Sequence, residues 1–334
     1  MHKNIPPKNV SKGCRLCYQG AKLVLFITGL CDRNCWYCPL SEERKNVDVI
    51  YANDEKIETP QDAIAQAELM SALGTGVTGG DPLMELERTA EYCRALKNHF
   101  GKEHHIHLYT GHAVTEEELA ELKGCVDEIR MHPPHDEWKG IENSKYIESV
   151  RNAKRMGFDV GFEVPSLKGL RNFFPVLDEL DFLNVNQLEW GDSCADAMRE
   201  RKLEPENDLS NAVKGSGKWA SEINGHPKVH YCTSVFKDSV QLRERLKRIA
   251  ANSARPFDTI TDDGTIMYGS MNPGDDLELI LSQLKAGSTY EEMADGTIEL
   301  NWLQMRKLPK KFGSDKKIIE RYPNDGMIVE VTPI

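Results

Sequence analysis

Between Lys22 and Leu40 the chain reads KLVLFITGLCDRNCWYCPL, and this stretch limits what the remainder can be. Leu23 to Ile27 is an apolar run of strand length, and Thr28-Gly29 behind it is a turn. Cys31, Cys35 and Cys38 then follow in the spacing C-x3-C-x2-C. Three thiolates on one short loop can ligate three irons of a cubane cluster that ordinarily takes four cysteines. The fourth iron is left open to a small molecule. Zinc suits the loop poorly, because structural zinc takes four ligands and favours paired C-x2-C spacing.

A second cysteine pair precedes that strand. Cys14 and Cys17 form a C-x2-C pair, which reads as half of a second metal site, an auxiliary iron–sulfur cluster or zinc. Two unrelated loop cysteines would look the same. The best remote partner is Cys232, in Val229-His230-Tyr231-Cys232-Thr233, and Cys194 is the next. Cys93 and Cys125 lie in or beside helical patterns and read as core residues. Nine cysteines, three of them bunched, fit a reducing cytoplasm and metal binding better than disulfides. The N-terminus lacks the apolar core of a signal peptide, and no run approaches the ~20 apolar residues of a membrane span. A cytoplasmic protein with no membrane partner is therefore expected. The net charge of -11 weighs against a nucleic-acid partner, although it does not exclude a local basic groove.

Beyond the cysteine loop, helix and strand patterns alternate, as in a parallel sheet. Strands are expected at Gly76–Thr78, His105–Thr110, Glu128–His132, Asp159–Val164 and Leu183–Leu188. Helices are expected from Thr59-Pro60 to about Leu73, up to Phe100, from the capping box at Thr115 and Glu118, over Lys145–Met156 and over Asn172–Leu180. With the first strand this makes six β/α units and predicts an α/β fold, a partial (β/α)6 TIM-type barrel. Residues 1–21 form an N-terminal segment, 22–254 the barrel and its following helices, and 255–334 a small C-terminal α+β appendage. Within the appendage, a hairpin is expected around Asp263-Gly264, a helix over Asp276–Leu284, and strands over Thr297–Leu303 and Met327–Thr332.

Strand alternation shows what such a barrel would contain. Side chains alternate along a strand, and the helix-covered side must be apolar. Ile106, Leu108, Ile129, Met131, Val160, Phe162, Leu183 and Val185 are the outward set. His105, His107, Tyr109, Arg130, His132, Glu163, Asn184 and Asn186 then point inward. A closed barrel fills its interior with bulky branched side chains; this one lines it with polar groups, which implies a wet cavity for a cofactor and a substrate. The paired histidines do not require a metal, since hydrogen bonding in a polar cavity explains them.

With Cys31, Cys35 and Cys38 behind its first strand and Gly79-Gly80-Asp81-Pro82 behind its second, the chain resembles radical S-adenosylmethionine (SAM) enzymes from Lys22 to Glu189. The resemblance implies a 4Fe-4S cluster on the three cysteines, with SAM chelating the open iron. An electron, from a donor of the ferredoxin or flavodoxin type, then cleaves the sulfonium to methionine and a 5′-deoxyadenosyl radical that abstracts hydrogen from substrate. Tyr37 matches the aromatic position whose backbone contacts adenine. Gly79-Gly80-Asp81-Pro82 corresponds to the Gly-Gly-Glu-Pro segment that binds the SAM amino group, with Asp81 where glutamate is usual. His132 and Glu163, at the tops of their strands, are placed to reach ribose or substrate; structural hydrogen bonding explains them equally.

More narrowly, Ala21 to Phe26, Leu108 to Gly111 and Arg130 to Pro133 resemble archaeal radical SAM proteins related to pyruvate formate-lyase-activating enzymes. A protein or peptide substrate is expected ahead of tRNA. The tRNA alternative draws on the basic stretches 237–255 and 306–317, and on a C-x2-C pair ahead of the main motif, as in wyosine synthases. A non-catalytic iron–sulfur electron carrier would need neither the polar cavity nor Gly79-Gly80.

Overall fold

The computed structural model describes residues 7, 10–207, 210–324 and 326–334. Helix α1 (Lys12–Tyr18) precedes β1 (Lys22–Phe26), and a hairpin of β2 (Ile50–Ala52) and β3 (Glu55–Ile57) follows. Then come α2 (Pro60–Leu69), β4 (Gly74–Thr78), α3 (Leu86–Phe100), β5 (His105–Thr110), α4 (Glu116–Leu122), β6 (Glu128–Met131), α5 (Lys145–Met156), β7 (Asp159–Pro165) and β8 (Phe182–Asn186). Past β8 lie α6 (Ala195–Glu200), β9 (Pro205–Asn207), β10 (Ser210–Val213), α7 (Ser216–Ala220), β11 (Val229–Cys232) and α8 (Ser234–Phe236).

The main sheet runs β11-β8-β7-β6-β5-β4-β1-β2-β3. Neighbours from β1 to β11 pair in parallel, while β2 and β3 fold back antiparallel beside β1. This is the expected partial barrel, with one strand more than expected. β11 pairs with β8, setting Val229 opposite Leu183 and Cys232 opposite Asn186, so Cys232 belongs to the barrel wall. The outward set is buried as alternation requires, from Ile106 and Leu108 through Val185. Each such side chain contributes roughly 1.5–3 kcal/mol of hydrophobic stabilisation. Between β7 and β8 a 3-10 segment at Leu170–Val176 replaces the helix expected at Asn172–Leu180. Pro175 lies inside it, and its missing N–H disfavours a regular helix.

The N-terminal segment departs most from expectation. Helix α1 lies against the inner face of the sheet. Ser11 caps it by accepting from the Cys14 amide (3.3 Å) and donates its hydroxyl to Glu128 (3.1 Å). A Cβ on Gly13 would stand 2.5 Å from His107 and 2.6 Å from Arg130, so only glycine lets the helix settle there. The strands make room as well. A Cβ on Gly74 would meet Leu16 at 2.6 Å, and one on Gly76 would meet His107 at 2.8 Å. Part of the expected wet interior is therefore a packed polar layer under α1.

By internal contacts the chain divides into two units, Met1–Glu68 with Ala72–Gln241 and Leu69–Ser71 with Leu242–Ile334. The second contains α9 (Arg243–Ser253), β12 (Thr259–Ile260), β13 (Ile266–Asn272), α10 (Leu277–Gln283), β14 (Tyr290–Glu292), β15 (Ile298–Leu300), α11 (Trp302–Lys307), β16 (Ser314–Arg321) and β17 (Ile328–Pro333). Its sheet runs β14-β15-β13-β16-β17, with β12 paired to β13 around the Asp263-Gly264 turn. Met271, Ile280, Ile298, Leu300 and Met305 form its core. β16 was not expected, because SDKKIIER is mostly charged and only Ile319 in it is buried. No helix among the described residues is long and apolar enough to cross a membrane.

Candidate functional site

Above α1 the barrel encloses a cavity of about 510 Å³. Cys31, Cys35, Cys38 and Tyr37 line it, as do Gly79, Gly80, Asp81, His132 and Glu163. Cys14, Cys17, His230 and Cys232 line it too, so the three-cysteine loop, the glycine segment and the second cysteine group meet one space.

The loop carrying Cys31, Cys35 and Cys38 is tied down on several sides. His112 bonds Asp32 at 2.9 Å, and Ser193 donates to the Cys38 carbonyl at 3.2 Å. Cys194, considered as a partner for Cys14, instead packs beside Cys38 and Pro39, where a Cβ on Gly191 would lie 3.4 Å from its sulfur and 3.3 Å from Pro39. The Tyr37 hydroxyl meets His132 Nε2 at 2.9 Å, and His132 Nδ1 meets the Glu163 carbonyl at 2.9 Å. Since a carbonyl only accepts, Nδ1 carries the proton and Nε2 accepts from Tyr37. Burial lowers the pKa of His132 and favours this neutral form. His132 therefore fixes the cysteine loop to β6 and β7. Burial pushes the Cys31 and Cys35 thiols up.

The glycine turn serves packing. A Cβ on Gly79 would lie 2.4 Å from the Thr28 carbonyl, and one on Gly80 would lie 2.4 Å from the carbonyls of Gly29 and Leu30. Glycine here brings β4 against the root of the cysteine loop. Asp81 is fully buried and its oxygens are committed. It accepts from the amides of Leu83 (3.0 Å) and Gly111 (2.7 Å) and from the Thr110 hydroxyl (2.9 and 3.0 Å). Replacing Asp81 by alanine leaves those donors unsatisfied and should cost about 3 kcal/mol. Chemical denaturation checks this, and a loss under about 1 kcal/mol would show that the clamp is unimportant.

Glu163 is equally engaged. Arg130 donates to it at 2.7 Å, Asn184 at 3.0 Å and Asn186 at 2.8 Å. Burial alone would raise its pKa, but Arg130 and the two amides outweigh that and hold it below its usual range. Arg130 also bonds Glu128 (2.6 Å), Tyr109 (3.0 Å) and Ser11 (2.9 Å). Lys22, which the sequence reading passed over, points into the same layer and touches His107 at 3.1 Å. Alternation with Leu23 and Leu25 was the signal that could have found it.

Among the described residues no three Cys, His, Asp or Glu side chains stand close enough to share one metal ion. A cubane does not need that, because each thiolate binds a different iron. Three free thiols on one anchored, half-buried loop, facing a cavity, fit such a group.

A parallel sheet curved around a cavity that meets a three-cysteine loop defines a class, and comparison with known proteins gives the same one. The radical SAM superfamily model matches residues 25–171. A Methanocaldococcus jannaschii protein, provisionally named a glycyl-radical enzyme activating enzyme, is 38% identical over 350 residues, covering 97% of this chain and 92% of that one. The chain belongs to the radical SAM superfamily and is a radical SAM enzyme, a family that implies SAM and a 4Fe-4S cluster. Residues 264–334 match a domain of unknown function, DUF8061. Among solved structures, Streptococcus suis SuiB bound to S-adenosylmethionine is similar at 11% identity and a TM-score of 0.40, over 64% of this chain and 50% of that one. SuiB bound to the precursor peptide SuiA aligns at 9% identity and a TM-score of 0.38, over 70% and 61%. This chain thus spans about half to three fifths of those structures.

Proposed function

We propose that the enzyme abstracts hydrogen from a protein or peptide substrate, in the manner of an activating enzyme. The observation that carries this reading is the anchored Cys31–Cys35–Cys38 loop opening on a cavity with Glu163, Asn184 and Asn186 in its wall. The relative from Methanocaldococcus jannaschii, named for activating glycyl-radical enzymes, supports the substrate class. Cys31, Cys35 and Cys38 would hold the 4Fe-4S cluster, and the segment Gly79 to Asp81 with Tyr37 would border SAM. Bound there, cluster and SAM supply reductive sulfonium cleavage and a radical that takes hydrogen. The chain's own part is placement. His132 holds Tyr37 and its loop in register, Asp81 fixes the β4 and β5 ends, and ionised Glu163 with Asn184 and Asn186 forms a fixed polar wall toward substrate. A ferredoxin- or flavodoxin-type donor would supply the electron. To this reading belongs a second metal centre, iron–sulfur or zinc, at Cys14, Cys17 and Cys232.

The tRNA reading is weaker over 237–255, because several of its basic residues there are paired within the chain. Lys237 pairs with Glu189 at 2.9 Å, Arg243 and Lys247 both with Glu244 at 3.4 Å, and Arg255 with Asp258 at 3.1 Å. The deciding test is 5′-deoxyadenosine formation by anaerobically reconstituted protein, given the protein, RNA and small-molecule fractions of a cell extract in turn. Stimulation by the protein fraction is expected, as is loss to background on replacing Cys31, Cys35 or Cys38 by alanine. Full cleavage by those variants would sink the cluster assignment, and stimulation by RNA alone would overturn the substrate class.

A further inference from the structure

Resting on the second centre named above, we infer that it is a 4Fe-4S cluster rather than zinc, ligated by Cys14, Cys17, Cys232 and His230, with Lys22, Arg130 and Lys237 as its counter-cations. The topology brings the four candidate ligands to one wall of the cavity although more than two hundred residues separate them. Cys14 and Cys17 come from α1, and β11 supplies the others. His230 and Cys232, two apart on a strand, share a face, and both line the cavity with the α1 cysteines. Tyr18, next to Cys17, has its ring 6.0 Å from that of His230. His230 is buried, and its ring makes no hydrogen bond among the described residues, which leaves the imidazole free to act as a ligand.

Charge is the second line of argument. Cations stand in the same wall. Arg130 reaches the Cys14 sulfur at 3.5 Å, and Lys22 and Lys237 line the cavity together with Cys17 and Cys232. Arg130 and Lys237 also have carboxylate partners, but Lys22 is buried with none among the described residues, its near contacts being His107 (3.1 Å) and Tyr109 (3.5 Å). A buried ammonium without an anion is costly. Thiolates binding a metal centre supply that anion.

Geometry separates the two metals. Tetrahedral zinc, with Zn–S near 2.3 Å, needs its sulfurs within about 4 Å of one another. No three candidate ligands are gathered so closely here, and Cys31, Cys35 and Cys38 behave in the same way. A cubane spreads its ligands over separate irons and accepts the wider spacing. With four protein ligands this cluster has no open iron, unlike the one behind β1.

The test uses the full chain with Cys31, Cys35 and Cys38 all replaced by alanine, reconstituted anaerobically with iron and sulfide. About four irons per chain should remain, against about eight in the unsubstituted chain, with a cubane Mössbauer spectrum. Adding Cys232→Ala should remove them, and His230→Ala should keep them while changing the reduced cluster's paramagnetic resonance spectrum. Lys22→Met should move the midpoint potential to more negative values, because a nearby cation favours the reduced, more anionic state. Bound zinc in place of iron, or a folded triple variant with no metal, would overturn the inference. So would an unchanged spectrum in His230→Ala, for the fourth ligand, or an unchanged potential in Lys22→Met, for the counter-cation. SAM cleavage by the unsubstituted chain is read separately, so loss of the second centre leaves the first testable.

Discussion

Replacing Arg130 by methionine should be the most destabilising single change in the barrel. The guanidinium is almost fully buried between Glu128 and Glu163, and it also holds Ser11 of the α1 cap and Tyr109. Methionine matches the bulk of the side chain but supplies no charge, so two buried carboxylates lose their cation together. Breaking a buried pair from one side costs about 3–5 kcal/mol, because the remaining charge is stranded in low dielectric. Two such carboxylates put the loss on the scale of a domain's whole stability, about 5–15 kcal/mol. Little folded protein should accumulate, or its thermal midpoint should drop steeply. Arg130→Lys keeps a charge without the planar fork and should fall between. Glu163→Gln added to Arg130→Met removes one stranded carboxylate and should recover part of the loss, which a double-mutant cycle would detect. An Arg130→Met protein melting within a few degrees of the unsubstituted chain would show that the carboxylates are neutral or solvated.

Which parts of this arrangement were legible in the sequence depends on how local their causes are. The six expected parallel strands follow from period-two alternation under helices, and His107, Tyr109, Arg130 and Glu163 do face inward together. The cysteine loop was legible because its three cysteines lie within eight residues. β11 was harder to see as a barrel strand. VHYC is four residues of mixed polarity, and its place is fixed by pairing with β8 some forty residues earlier. α1 was harder still, because seven residues with two cysteines give no periodicity, and Gly13 fits only against side chains from β5 and β6. Gly79 and Gly80 were seen but their reason was not. The atoms they make room for are carbonyls of the β1 turn, which no reading of one strand supplies. Asp81 stood out in the sequence as part of the glycine segment, and its bonds to Leu83, Thr110 and Gly111 were not legible there.

Acidification should destabilise the barrel well before its carboxylates titrate. His104 and His105 are buried, and desolvation depresses both to about 4 from an ordinary value of 6.5; His107, beside Arg130 and Lys22, is driven well below it. Their surroundings suit the neutral ring. His104 bonds the Thr75 hydroxyl at 2.9 Å, and His107 meets Lys22 at 3.1 Å, while Glu128 at 3.6 Å only partly offsets the burial of His105. A folded-state pKa below the unfolded one means that the unfolded chain binds more protons between the two values. Stability from these groups is thus complete above 6.5 and falls as pH drops toward 4. His104 and His105 together give a slope of up to about 2.7 kcal/mol per pH unit and a loss of about 3 kcal/mol each once fully expressed. Urea unfolding of iron-free chain, at constant ionic strength in steps from about pH 7.5 to about pH 4.5, reads the slope without the cluster's own acid lability. Replacing His104 by glutamine should lower the slope by up to about 1.4 kcal/mol per pH unit. A stability that stays level across this window would mean that the histidines titrate alike in the folded and unfolded chain, as they would if the layer beneath the cavity were open to water.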